Sequence, residues 1–240
     1  MTADDGKHLV VRDLHVDYGR IRALEDVSLD LPAGSATAVV GRNGAGKTTL
    51  LKAIAGLLPE ADGTISWGGR PLASSERRAL VGYLPQRGEI DWDFPITVRG
   101  LVEMGLYPLI GNWGRLRAAH RERAAQALAR MGLASLASRR IGELSGGQQQ
   151  RAFLARAIAG GARILLLDEP FAGLDREAGE KLGRIFRDLT AAGALILASH
   201  HDLNSVGTLF DRTLLLRSRP LAFGPTAEVL TDEAIRETFA

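Results

Sequence analysis

The sequence predicts an α/β fold, with a mostly parallel sheet covered by helices, an N-terminal antiparallel β subdomain and an inserted helical subdomain. Three observations predict it. Short β-rich segments open the chain, strand and helix patterns alternate in its last third, and residues 97–140 between them have a helical pattern. Because such alternation is typical of parallel sheets, we expect one domain over residues 1–240, with its core at about 1–88 and 161–240 and its helical subdomain at about 97–160.

The composition limits the class of protein. The chain has 240 residues, 45% hydrophobic and 24% charged, which is ordinary for a globular protein with a substantial core. Its 30 basic and 28 acidic side chains leave a net charge of only +2, so no nucleic-acid partner is predicted. The absence of cysteine excludes disulfides and thiolate metal sites. No apolar run reaches the roughly 18 residues of a membrane span, and we expect a cytoplasmic protein.

The predicted elements follow in order along the chain. Alternating apolar and polar residues at 8–16 and 23–31 indicate two strands of a half-exposed antiparallel sheet. The apolar run Ala36–Val40 indicates a buried strand, and a helix is expected over 48–56, where Gly56 is suited to end it. The later predicted elements are strands at 63–67 and 80–84, a helical pattern at 117–131, a helix at 148–159, a strand at 163–167, a helix at 176–192, and strands at 194–199 and 213–216.

A phosphate-binding loop is predicted directly after the buried strand, where residues 41–48 fit the pattern G-x-x-x-x-G-K-[ST]. Its glycines let several backbone N–H groups point at one phosphate chain, and the next helix adds its positive end. Lys47 is suited to reach the β- and γ-phosphates and Thr48 to bind Mg²⁺. The strand before the loop and the helix after it disfavour a chance glycine turn. The residues predicted to bind the nucleotide here are Gly41, Arg42, Asn43, Gly44, Ala45, Gly46, Lys47, Thr48 and Thr49.

Two carboxylates, Asp168 and Glu169, follow the apolar strand at 163–167. The carboxyl ends of strands in open α/β sheets lie beside the crevice where ligands bind. Asp168 is therefore predicted to hold Mg²⁺, and Glu169 is suited to accept a proton from an attacking water. The alternative, a strand that simply ends in solvated acids, is disfavoured by the phosphate loop.

Four other polar side chains have weaker signals. His200 and His201 follow the strand at 194–199, and because strand side chains alternate, only one of them is expected to face the nucleotide. Each is open to a structural role. Gln86 is either an ordinary loop residue or a sensor of the γ-phosphate or metal, and Tyr18 either stacks on a base or is buried.

A second candidate anion cradle is formed by residues that precede the helix at 148–159. Ser145 and Gln148 have capping-box spacing, which is the simpler explanation. The glycines between them, Gly146 and Gly147, do not stabilise a helix but allow a phosphate to approach the backbone closely. Because the helical insertion separates this cradle from Lys47, we expect a head-to-tail homodimer, in which each cradle closes over the ATP held by the other copy.

Residues Leu144-Ser145-Gly146-Gly147-Gln148 resemble the signature of ATP-binding cassette (ABC) ATPases, and the order of motifs along nearly the whole chain is similar to that family. The resemblance implies an ATP hydrolase that uses ATP and Mg²⁺. It also implies stacking of adenine on Tyr18, catalytic roles for Lys47 and Gln86, a general base at Glu169 and a γ-phosphate switch at His201. Residues 172–175 resemble the dimer-contact loop of the family, without the Ser often found first.

A cassette without a membrane span resembles the ATPase subunit of a transporter with a separate permease. This implies a peripheral location on the inner face of the membrane and an indirect extracytoplasmic substrate-binding partner. Residues 88–98 lie where family members contact the permease, so Trp92 and Phe94 are candidate interface anchors, with packing inside the lobe as the alternative. The residues of this segment, together with Pro-Phe-Ala-Gly after Glu169, resemble those of the family branch that imports manganese, zinc or iron.

Other functions were weighed against this one. An importer of another cargo such as a metal chelate or an amino acid, or an exporter, is compatible with the same motifs. A soluble cassette of DNA repair or translation usually carries two cassettes or a long coiled coil. Intact Lys47, Asp168 and Glu169 disfavour an inactive binding module. The signature disfavours a phosphate-loop kinase or GTPase.

Overall fold

A computed structural model describes residues 6–110 and 114–239. Its strands are β1 His8–Tyr18, β2 Ile21–Pro32, β3 Ala36–Val40, β4 Ala61–Trp67, β5 Arg70–Pro71, β6 Val81–Leu84, β7 Ile164–Leu167, β8 Leu195–Ser199, β9 Arg212–Arg217 and β10 Arg219–Pro225. Its helices are α1 Lys47–Ala55, α2 Ser74–Leu80, α3 Val98–Met104, α4 Tyr107–Ile110, α5 Ala118–Arg130, α6 Gly146–Gly160, α7 Arg176–Ala191, α8 Leu203–Leu209, α9 Thr226–Val229 and α10 Asp232–Phe239. We call the part from α3 to α6 the helical region.

The strands form two sheets. The antiparallel sheet has the order β2-β1-β4-β5, and the alternation of apolar and polar residues in β1 and β2 buries one of its faces. The second sheet has the order β10-β9-β3-β8-β7-β6, with every neighbouring pair parallel except β10 and β9. The predicted α/β architecture is therefore confirmed. Because β3, β7 and β8 are parallel, the residues that follow them meet at one edge of the sheet.

Most predicted boundaries agree with the structure to within two residues, and Gly56 ends α1 in a left-handed conformation with φ 74°, as expected. Three differences are clear. Residues 97–140 form α3, α4 and α5 instead of one helical stretch, and Leu80 ends α2 instead of starting a strand. The elements that were not predicted are β5, β10, α2, α8, α9 and α10. Residues 111–113, and residues 1–5 and 240 of the expected domain, lie outside the described residues.

The hydrophobic core lies on both faces of the six-stranded sheet. Alternation along β7 sends Leu165 and Leu167 to the face covered by the helical region and α7, while Ile164 and Leu166 face α1 and the antiparallel sheet. The sheet is thus buried on both faces, which is why its central strands are continuous apolar runs. Within residues 6–110 and 114–239, no helix is long and apolar enough to cross a membrane.

Candidate functional site

The loop between β3 and α1 needs glycine at two positions for reasons of space. A Cβ on Gly41 would lie 2.2 Å from the carbonyl oxygen of Leu216, so the loop runs directly against β9. Gly46 has φ 93°, and a Cβ there would lie 2.7 Å from the carbonyl oxygen of Ala23. The loop is therefore closely packed and directs α1 with its N-terminus toward the edge where β7 and β8 also end.

Lys47, at the start of α1, is buried with its ammonium held by the loop itself. Its Nζ donates to the carbonyl oxygens of Gly41 at 2.8 Å and Arg42 at 2.9 Å. Burial lowers the pKa of Lys47, and the negative charges of Glu169 and Asp168 partly offset that effect. The structure therefore places one buried cation beside the two carboxylates.

A network of short hydrogen bonds joins α1, β7 and β8. Thr48 Oγ1 donates to Asp168 Oδ2 at 2.6 Å, and Ser199 Oγ donates to Asp168 Oδ1 at 2.6 Å. The backbone N–H of Glu169 donates to the same Ser199 Oγ at 2.7 Å, and Glu169 has a left-handed backbone with φ 49°. Ser199 thus orients both acidic residues. The sequence interpretation missed it, because its partner strand is 30 residues away in the chain.

Lys47, Thr48 and Glu169 line an open cleft of about 920 Å³. Tyr18 lies at the cleft with 44% of its surface exposed, so it is not a core tyrosine. The predicted site residues Gly41, Arg42, Ala45 and Asp168 are not part of the lining of this cleft. The residues at the cleft are Tyr18, Ile21, Arg22, Ala23, Asn43, Gly44, Gly46, Lys47, Thr48, Thr49, Gln86, Glu169, His201 and Ser218. Most of the predicted site residues are therefore brought together.

The two adjacent histidines have different surroundings. His201 is exposed at the cleft, whereas His200 is buried and its Nε2 lies 2.8 Å from Ser205 Oγ. The His200 ring packs against Phe171 and Phe210 at centroid distances of 5.5 and 5.4 Å, and this burial lowers its pKa. Of the pair, His201 alone lines the cleft, and its contact with the γ-phosphate stays a prediction.

The second cradle lies away from this cleft, since none of Ser145, Gly146, Gly147 and Gln148 lines it. The predicted capping box is present, with the N–H of Gln148 3.4 Å from Ser145 Oγ and the N–H of Ser145 2.9 Å from Gln148 Oε1. A Cβ on Gly147 would lie 2.8 Å from that of Ala178, so this glycine is also required for packing of α6 against α7. Gly146 is less closely packed than Gly147, because only side-chain atoms lie within 4 Å of the position that its Cβ would take.

The two candidate permease anchors differ. Trp92 is half-buried, packs edge-on against Phe153 at 5.8 Å, and donates from Nε1 to the carbonyl oxygen of Arg87 at 3.0 Å. Phe94 is 55% exposed. Packing inside the helical region, the alternative for Trp92, is therefore what the structure has, and only Phe94 remains a free anchor.

The donor set at the cleft fits a magnesium ion beside a nucleotide. A hydroxyl and a carboxylate, Thr48 and Asp168, are already 2.6 Å apart, and both are the hard oxygen ligands that Mg²⁺ prefers. The glycine loop, the buried Lys47 and the N-terminus of α1 supply the positive field that a triphosphate needs.

A phosphate loop combined with an acidic pair after a neighbouring parallel strand defines a phosphate-loop nucleotide-binding protein. The sequence profile described as ABC transporter matches residues 24–172, more than half of the chain. The chain therefore belongs to the ABC transporter family, and it is an ATPase of that family.

Similar proteins and solved structures agree with this family membership. The chain is 44% identical to the manganese transport system ATP-binding protein MntB of Bacillus subtilis, over 93% of this chain and 89% of that protein. It is 44% identical to the zinc transport system ATP-binding protein TroB of Treponema pallidum, over 95% and 85%. A solved ABC transporter in an inward-facing conformation superposes with a TM-score of 0.85 at 30% identity, over 97% of this chain and 89% of that one.

Proposed function

We propose that this chain is the cytoplasmic ATP-hydrolysing subunit of an ABC importer. It powers a separate membrane permease, on whose inner side it sits, and the cargo is a transition-metal ion delivered by an extracytoplasmic binding protein. The family match and the manganese and zinc transport functions in the names of two relatives support this proposal. The most specific part of the proposal is the cargo, which is manganese, zinc or iron.

The cleft residues have different roles in binding the phosphates, the adenine and the Mg²⁺ of ATP. Lys47 and the backbone N–H groups of the loop bind the β- and γ-phosphates, and Tyr18 stacks on the adenine. Thr48 and Asp168, with Gln86, hold Mg²⁺, which neutralises phosphate charge when it is bound. His201 contacts the γ-phosphate from the end of β8.

Glu169 is the general base in this proposal because Asp168 is already engaged. Both Asp168 oxygens accept hydrogen bonds, from Thr48 and Ser199. Within the described part of the chain the Glu169 carboxylate accepts no such bond, and it faces the cleft. It is therefore free to take a proton from a water that attacks the γ-phosphate. The bond that breaks joins the γ-phosphorus to the oxygen that leaves with ADP.

One observation carries the dimer part of the proposal: the signature residues lie outside the cleft that holds Lys47. A helix N-terminus capped by Ser145 and opened by Gly146 is suited to a phosphate, but not to the one bound by its own chain. We infer that two copies associate head to tail, each signature covering the other's ATP.

The experiment is a mixing test with two inactive variants. Lys47→Ala removes the phosphate contact and Gly146→Asp repels phosphate at the signature, so each variant alone is expected to lack ATPase activity. A mixed dimer contains one site with both parts intact. We expect an equimolar mixture to regain about a quarter of normal activity, since half of the dimers are mixed and each has one working site.

The matched control is Gly207→Asp in α8, because it adds the same charge at an exposed glycine where a Cβ would meet nothing within 4 Å. It should retain most of the activity. If mixed dimers form but no activity returns, both parts serve one nucleotide in one chain and the head-to-tail arrangement is wrong.

Exposed apolar side chains support a permease contact at the helical region. Met104, Tyr107 and Leu109, around the junction of α3 and α4, are each about half exposed. Met104 also lines a cavity of about 280 Å³, together with Tyr83 and Arg156. An apolar rim with a few polar groups is typical of a protein interface.

A further inference from the structure

The turn between β9 and β10 lies against the phosphate loop. Arg217 of β9 is paired in register with Arg219 of β10, so Ser218 alone forms the turn. We propose that Ser218 is a positioning residue, which holds one peptide group of the phosphate loop with its N–H directed toward the nucleotide. That peptide group joins Ala45 to Gly46.

The backbone of Ser218 is held at both of its polar groups. Its φ is 56°, in the left-handed region that residues other than glycine rarely adopt. Its N–H donates to the carbonyl oxygen of Ala45 at 2.9 Å, and its carbonyl oxygen accepts from the N–H of Glu25 in β2 at 2.8 Å. The turn is therefore fixed between the phosphate loop and β2.

The phosphate loop has little space beside this turn. The carbonyl oxygen of Leu216 in β9 lies 2.2 Å from the position that a Cβ on Gly41 would take. The carbonyl oxygen of Ala23 in β2 lies 2.7 Å from the corresponding position on Gly46. The loop is thus packed against the backbones of two strands, and Ser218 contacts it at Ala45, between these two glycines.

Peptide geometry converts the Ser218 contact into an orientation of the Gly46 N–H. A trans peptide group is planar, and its C=O and N–H point in opposite directions. Because the Ala45 carbonyl oxygen is bound by the turn, the N–H of Gly46 is directed away from that turn. Gly46 lines the cleft, and its N–H has no hydrogen-bond partner among residues 6–110 and 114–239. The N–H is therefore available to a phosphate oxygen.

The consequence for ATP binding rests on the proposed function. Without the Ser218 bond, this peptide group can rotate, because Gly46 has no Cβ to oppose the change. The Ala45 carbonyl oxygen then faces the phosphates in place of the Gly46 N–H, and like charges disfavour binding. Only the unrotated fraction of molecules binds ATP, so loss of the bond weakens affinity but leaves the steps after binding unchanged.

Three substitutions separate this role from a general loss of stability. In Ser218→Val the branched side chain disfavours a left-handed backbone, so the turn shifts and its bond to Ala45 is lost. Ser218→Gly keeps both backbone polar groups and favours the same conformation. Asp13→Val is the matched control, because Asp13 also has a left-handed backbone, with φ 48°, at an exposed position of β1 outside the cleft.

ATP titration and steady-state ATPase assays measure the effect. We expect Ser218→Val to bind ATP about ten-fold more weakly and to raise KM, with kcat at saturating ATP within about two-fold of that of the unsubstituted chain. Ser218→Gly and Asp13→Val should keep the affinity for ATP within about two-fold. Unchanged affinity in Ser218→Val, an equal loss in Asp13→Val, or a similar loss in Ser218→Gly contradicts the proposal.

Amide hydrogen exchange tests the contact without ATP. In the unsubstituted chain and in Ser218→Gly, the amide of residue 218 should exchange at least about 100-fold more slowly than an unprotected amide, because it is bonded to Ala45. Ser218→Val should lose this protection, and the measurement on the unsubstituted chain stands even where that variant does not fold. Rapid exchange in the unsubstituted chain overturns the role of Ser218, whereas failure of that chain to bind ATP overturns the proposed function instead.

Discussion

At the scale of single residues, two adjacent side chains of similar chemistry have different surroundings where β7 and where β8 end, because they point in different directions. Asp168 is 2% exposed and fully hydrogen-bonded, while Glu169 turns into the cleft through a left-handed backbone. Likewise His200 points into the aromatic core and His201 into the cleft. In each pair one residue is buried and held by hydrogen bonds, while the other faces the cleft.

The buried His200 predicts a loss of stability in acid. Its folded-state pKa is lowered by burial, while the unfolded chain has the ordinary value of about 6.5. As pH falls through that value the unfolded chain binds a proton that the folded chain does not, so the free energy of unfolding decreases. Well above about pH 6.5 neither state binds this proton, so His200 causes no such decrease there.

Urea unfolding at about pH 7.5 and about pH 5.5 measures this decrease. We expect it to be smaller in His200→Gln, whose amide can still hydrogen-bond Ser205 but cannot titrate. Equal decreases in the two proteins would show that His200 does not contribute.

At the scale of elements, α3 and α6 approach each other through two glycines. A Cβ on Gly105 would lie 2.1 Å from the carbonyl oxygen of Arg156, and one on Gly160 would lie 2.5 Å from that of Gly105. Since backbone atoms cannot move aside as a side-chain end can, this contact requires both glycines.

Gly105→Ala should therefore lower the free energy of unfolding by about 1–3 kcal/mol. The matched control is Gly179→Ala in α7, where a Cβ would meet nothing within 4 Å. That change should raise stability by about 0.5–1 kcal/mol, since glycine is a poor helix former. Denaturant unfolding of both variants checks the pair, and a neutral Gly105→Ala would contradict the close approach.

The sequence predicted the elements with strong local patterns and missed those that depend on their neighbours. β10 contains prolines at both ends and is recognisable only as an edge strand paired with β9. Ser199 has no local signal, since its role arises from the pairing of β7 with β8. The burial of Trp92 depends on Phe153, about 60 residues further on. The glycine loop, in contrast, has a local pattern, and its place between β3 and α1 was predicted.

At the scale of the whole molecule, the helical region shares its core with the sheet. Leu165 and Leu167 of β7 belong to the same buried cluster as Leu128 of α5 and Leu154 of α6. We therefore expect a displacement of these helices to shift β7 and the residues that follow it, Asp168 and Glu169. The division into a core at about 1–88 and 161–240 and a helical subdomain at about 97–160 stays a prediction, and the two parts share this buried cluster.

Assembly gives the prediction at this scale. Glu169→Gln should bind ATP, hydrolyse it at least about 100-fold more slowly, and accumulate as a dimer, because the closed state forms but is not released. Light scattering after gel filtration in MgATP measures the dimer. The control Glu177→Gln removes an exposed acid from α7 and should behave normally. Normal turnover by Glu169→Gln would rule out its role as the base.

The strand order has a further consequence. β6 is one of the two outer strands of the six-stranded sheet and is bonded only to β7, whereas β3, β7 and β8 each lie between two neighbours. Lys47, Glu169 and His201 thus follow interior strands, while Gln86 follows an outer one. Tilting an outer strand disturbs hydrogen bonds on one flank only. Under the proposed coupling to a permease, we expect a force on β6 to disturb only its pairing with β7 and to leave the pairing among β3, β8 and β7 intact.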